Sequence, residues 1–149
     1  MDDEVYNISQ VSKYIFEFPS IGKKHLLKQV VFSKMNYNHN DYNLSLGTVL
    51  ENGTVNFLDS SNNGDVVKIF MTVIKCVRTF ASTFPDSVIF FKGNTEQKNR
   101  VYNEILRRHY DEFSVDFNIF GVSNIDGKST VSKFNRKVDY SSFYLSLKS

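Results

Sequence analysis

Apolar residues recur along this chain with two spacings, and the change from one to the other marks out its elements. Tyr42, Leu44, Leu46, Thr48 and Leu50 alternate with mostly polar neighbours, and Val55 and Phe57 resume the alternation after Asn52-Gly53. A period of two predicts half-buried strands. Asn-Gly suits the two positive-φ positions of a type I′ turn, which would place Leu50 opposite Val55 and Thr48 opposite Phe57 on one face. From Val66 the step becomes four and three by turns, through Phe70, Val73, Val77, Phe80 and Phe84. That spacing predicts an amphipathic helix, its stripe widened by Val67, Ile74 and Ala81, with Lys68, Lys75 and Arg78 mostly on the other side. Asn62, Asn63 or Asp65 can cap its start, and Pro85 stops it.

Shorter patterns fill in the rest. Tyr14 to Phe18 and Leu26 to Phe32 read as strands, with Pro19-Ser20-Ile21-Gly22 as a turn between them. Asn36 to Asp41, Tyr37 included, has loop composition. Val88 to Phe91 is apolar at every position, which suits a central strand covered on both faces. A second helix is expected from about Glu96 to Tyr110, with Tyr102, Ile105, Leu106, His109 and Phe113 inward. Val115, Phe117, Ile119 and Gly121 alternate as another strand, Asp126-Gly127 reads as a hairpin loop, and Val131 to Phe134 and Tyr140 to Leu147 close the chain. Residues 1–12 are polar and read as a loose arm or a short first helix. This order predicts a single α+β domain over 1–149, a mainly antiparallel sheet with two helices packed on one face.

Composition narrows the class more than the chemistry. With 149 residues, 41% hydrophobic and 15% aromatic, the chain can bury one core, so global disorder is excluded. The formal net charge of +2 neither requires nor forbids a nucleic-acid partner. Charge is unevenly spread: Asp2, Asp3 and Glu4 make the start acidic, while Lys92 to Arg108 and Lys128 to Lys137 are basic on balance. A single cysteine, Cys76, rules out an internal disulfide. The acidic start has no signal-peptide character and no apolar run spans a membrane, so a cytoplasmic location without a membrane partner is expected.

Ser61-Asn62-Asn63-Gly64-Asp65, followed by Thr72-Val73, Phe80, Pro85, Gly93-Asn94-Thr95, Arg100 and Tyr102, resembles a family of small proteins common in Bacteroidetes and classed as a domain of unknown function. Tyr42-Asn43-Leu44 and the aromatic strand near the N-terminus belong to the same likeness, which covers most of the chain. The sequence departs from it with Asn94 for Ser, Lys98 for the first arginine and Val101 for Leu. The resemblance implies a bacterial cytosolic protein and brings no established activity.

Candidate chemistry gathers at the two helix starts. Gly93-Asn94-Thr95 with Lys98 and Arg100 joins a strand to a helix, where unpaired amides and the helix dipole favour an anion; equally, Thr95 can simply cap the helix. Neither the P-loop run nor a dinucleotide fingerprint is present. Ser61 to Asp65 can form a nest of amides or line a pocket, with Asp65 as base or metal ligand, or can be a capped turn with Gly64 at positive φ. If both helices start at the same edge of the sheet, Asn62, Asn63, Asp65, Thr95, Lys98 and Arg100 share one polar cleft. A third set, His109 with Arg100, Arg107, Arg108 and Tyr102, has the residue types of metal-independent ribonucleases, although helical spacing points the two following arginines away and favours a structural His109. His25 and His39 stand alone, no zinc-type ligand spacing exists, and no metal or cofactor is expected. Tyr37, Tyr42, Tyr140, Phe143 and Tyr144, beside Lys133, Arg136 and Lys137, can stack bases or a partner, or form a core face.

These features lead to a non-catalytic binding module for an anionic ligand, a nucleic acid or nucleotide, or a protein partner, with toxin–antitoxin or phage-defence cassettes as a setting. The competing expectation is a ribonuclease-like enzyme acting on a phosphate-containing substrate with Asp65, Arg100 and His109. The third is a homo-oligomeric subunit using an exposed strand edge.

Overall fold

The computed structural model describes residues 5–36, 39–57 and 63–148. Among these, the chain opens as an antiparallel meander of β1 (Ser9–Ser12), β2 (Ile15–Ile21), β3 (His25–Lys34) and β4 (Asp41–Val49), with the short β5 (Val55–Asn56) folded back on β4. Helix α1 (Val66–Thr83) leads to β6 (Val88–Phe91), which pairs parallel with β4. Helices α2 (Glu96–Arg108) and α3 (Tyr110–Asp116) follow, then β7 (Phe117–Ile125), β8 (Lys128–Lys133) and β9 (Ser142–Leu147). The last strand inserts between β6 and β7, giving the order β1-β2-β3-β4-β6-β9-β7-β8. The class is α+β, with a mostly antiparallel, mixed sheet and three helices.

The core forms where the strand and helix periodicities meet. Alternate residues of β2, β3 and β4 (Phe16, Phe18, Val30, Phe32, Tyr42) are buried together with the inner stripe of α1. Phe80 of α1 stacks on Phe32 at 4.1 Å and meets Tyr42 edge-on at 4.9 Å. One turn from its start, Phe70 touches Phe91 of β6, Tyr102 of α2 and Phe113 of α3, so one side chain links three elements.

The structure corrects several expectations. Among the described residues the helices number three, because the second breaks at His109, which closes α2 and opens α3. Val115 lies in α3, 72% exposed, and not in a strand. Helices alone do not cover the sheet: Tyr6 stacks on Phe18, and Phe134 and Tyr140 from the β8–β9 connection join the core beside Tyr110 and Phe143. The N-terminal stretch read as a loose arm thus supplies a core side chain and a strand. Pro19 sits inside β2, paired with Leu27, beyond the end of β1, where its missing N–H is not needed by a second neighbour. Phe90 and Val88 are half-buried on the outer side, where Phe90 meets Tyr144 at 5.1 Å, so β6 is central but not fully covered on both faces.

The hairpin at Asn52-Gly53 departs from its expected type I′ geometry. At Asn52-Gly53 only the glycine has positive φ, the Gly53 N–H donates to Leu50 O, and the Leu50 N–H donates to Thr54 O. This is a type I turn closed by a glycine bulge, and it pairs Val49 with Val55 and Thr48 with Asn56. The type I′ turn occurs instead at Asp126-Gly127, φ 53° and 77°, between the paired Ile125 and Lys128.

Candidate functional site

The start of α1 is built differently from an ordinary cap. Asp65 occupies the N-cap position, yet its side chain makes no capping hydrogen bond. Its Oδ2 accepts from the Tyr6 hydroxyl at 2.5 Å and from Ser20 Oγ at 2.7 Å. Its Oδ1 is buried without a hydrogen-bond partner. Asn63 turns toward the β2–β3 loop: Oδ1 accepts from the Lys24 N–H at 2.7 Å, and Nδ2 donates to Lys24 O at 2.8 Å and to Ser20 Oγ at 2.9 Å. Gly22 permits this approach, because a Cβ there would lie 1.8 Å from Asn63 O. Burial and the hydrogen-bonded Asp65 carboxylate both push the Tyr6 phenol above its ordinary pKa.

The start of α2 keeps the cap that the sequence suggests. Thr95 Oγ1 accepts from the Lys98 N–H at 3.1 Å. Asn99 then bridges backward and across, with Oδ1 accepting from the Gly93 N–H and Nδ2 donating to Tyr140 O at 2.7 Å. Asn103, 2% exposed, completes the bridge by exchanging hydrogen bonds with the backbone N–H and C=O of Tyr140.

Both starts open on one cleft of about 570 Å³. The reason is topological. The end of α1 sits beside the beginning of β6, so its start lies toward the end of β6, where α2 begins. Asn63, Asp65, Thr95 and Lys98 all line the cleft. Lys28 and Lys92 join them. Lys28 is 6% exposed, and its Nζ donates to Thr48 Oγ1 at 2.7 Å. Leu44, Leu46, Ile69, Val73 and Val101 make part of the wall apolar. Tyr102 also lines it; burial raises its phenol pKa, so it stays protonated near neutrality.

The chain matches the DUF6934 family of unknown function over residues 2–148. It belongs to that family. No curated protein and no solved structure matches it.

Of the six residues expected to share one cleft in this family member, Asn63, Asp65, Thr95 and Lys98 converge, while Asn62 lies outside the described residues. Arg100 is exposed on α2 and does not line the cleft. His109 is at the α2–α3 joint, with Nδ1 3.3 Å from Glu112 and its ring against Phe113. Asp65, Arg100 and His109 therefore do not form one catalytic set. Arg107 is engaged by Glu104, Asp139 and the Arg136 carbonyl, Arg108 by Glu104, and Arg136 by Asp111. Tyr42, Tyr140 and Phe143 are core residues, and Tyr144 is half-buried against Phe90; Tyr37 lies outside the described residues. Cys76 is buried, its thiol pushed up to about 12, which leaves no thiolate for chemistry near neutrality. Among the described residues no cluster of three or more metal-ligating side chains occurs, and no helix is long and apolar enough to cross a membrane.

Sequence reasoning missed Lys28, Tyr6 and Ser20. Lys28 carried a readable signal: it falls in phase with Val30 and Phe32, on the side of β3 that faces the core. A charged residue in the apolar phase of a strand marks a place where that face opens or a polar group is held.

Proposed function

We propose that this protein is a non-catalytic binding module that holds an anionic ligand in the cleft between the starts of α1 and α2. The observation carrying this reading is that Lys28, Lys92 and Lys98 all line the described part of the cleft. A recess with low-dielectric walls concentrates their field, which favours an anion at the mouth. Catalysis is not needed to account for the groups present. One Asp65 oxygen is engaged by Tyr6 and Ser20, and neither Arg100 nor His109 reaches the cleft. The reading is tested by following backbone amide shifts at low salt while titrating acetate, inorganic phosphate, AMP and a short RNA oligonucleotide. At least one anion should shift amides around Gly93 to Lys98 and at Lys28. Binding should weaken severalfold in the Lys92→Gln/Lys98→Gln variant and in raised salt. Binding that survives both changes, or no binding by any of the four or by a longer carboxylate, overturns the reading.

A further inference from the structure

The cleft pairs a basic mouth with apolar walls that the rest of the core does not close. On β4, Tyr42 and Thr48 are buried, but Leu44 and Leu46 between them, in the same phase, are only half-buried. Ile69 of α1 and Val101 of α2 are likewise half-buried while packed against the core. All four side chains line the cleft. A fully hydrated ion such as phosphate would leave these walls wet. The volume of about 570 Å³ falls within the range of small-molecule pockets, which typically combine apolar walls with a few oriented polar groups.

We infer that the ligand is a small amphipathic anion, its apolar chain against Leu44, Leu46, Ile69 and Val101 and its head group at the lysines. This inference rests on the anion-binding reading and adds the ligand's body to it. The head group would meet separate ammonium groups, each a point donor on a flexible stem, with no guanidinium fork among the described lining residues. Lys28 lines the cleft, and its Nζ donates to Thr48 Oγ1.

The test uses three probes below their aggregation limits on the full chain: octanoate, acetate with the same head, and 1-octanol with a similar chain and no charge. Titration calorimetry gives affinities, and methyl shifts locate the chain. Octanoate should bind at least tenfold more tightly than acetate and severalfold more tightly than octanol, with shifts at the Leu44, Leu46, Ile69 and Val101 methyls. Lys92→Gln/Lys98→Gln should remove most of the advantage over octanol while leaving octanol unchanged. Leu46→Gln, its fold checked by amide dispersion, should remove most of the advantage over acetate. Equal binding of octanoate and acetate, still sensitive to the lysine change, overturns the amphipathic ligand and leaves the anion reading standing. Equal binding of octanoate and octanol, insensitive to the lysine change, overturns both. Absence of octanoate binding at millimolar concentration overturns the inference, and the anion titrations then decide the reading beneath it.

Discussion

The two helix starts look alike as sequence, each a glycine among small polar residues, but they use those residues for different work. At α2 the side chain of Thr95 closes its own helix, a contact three residues long. At α1 Asp65 and Asn63 ignore their helix and reach across 39 to 59 residues of sequence to Lys24, Ser20 and Tyr6. A local cap competes with longer-range partners for the same oxygen atoms, and the long-range set wins when the opposing loop comes close enough. Gly22 provides that closeness. One wall of the cleft is therefore fixed by a polar tie between distant segments in place of a cap, and the other keeps its own cap and adds a tie from Asn99 to Tyr140 O.

The contrast can be broken at its strongest point first. Asn63→Ala removes four side-chain hydrogen bonds at a buried position and strands Lys24 and Ser20, so a loss of about 3 kcal/mol is expected in urea unfolding. Gly22→Ala forces the same contact apart without removing a polar group and should cost about 2 kcal/mol. Thr95→Ala removes only a cap and should cost about 1 kcal/mol. If Asn63→Ala costs no more than Thr95→Ala, the two starts are equivalent and the distinction fails. The finest probe is alkaline pH. Burial raises the phenols of Tyr6, Tyr42 and Tyr102 above the ordinary tyrosine value of about 10. The unfolded chain then loses these protons first, so stability is level below pH 10 and falls as pH rises through and beyond it. Tyr6→Phe should flatten part of that alkaline slope, measured by urea midpoints from pH 8 to 11.

What the sequence revealed depended on whether a signal was local. The α1 stripe and its stop at Pro85 follow from spacing alone, as does the strand from Tyr42. The Asn52-Gly53 hairpin was located correctly but shifted by one pairing. Asn52 Oδ1 accepts from the Thr54 N–H and hydroxyl, which helps hold a turn in which only Gly53 needs positive φ. The convergence of Asn63, Asp65, Thr95 and Lys98 was legible only as a condition on where the helices begin. The parallel β4–β6 pairing, which meets that condition, left no trace in local pattern. Arg100 was misplaced because proximity in sequence to Lys98 says little about side; two residues along a helix turn a side chain through roughly 200°.

The position of β9 has a consequence for how this chain can be made. Its final strand lies between β6 and β7 and is hydrogen-bonded to both, with Phe143 and Leu145 in the core. During synthesis the β1–β4 meander can leave the ribosome and pair as it appears, and β7 can meet β8. The two sub-sheets have no direct seam until Ser142 to Leu147 arrives. The ribosome thus delivers the middle of this sheet last, and until it does the nascent chain must hold two open edges facing each other.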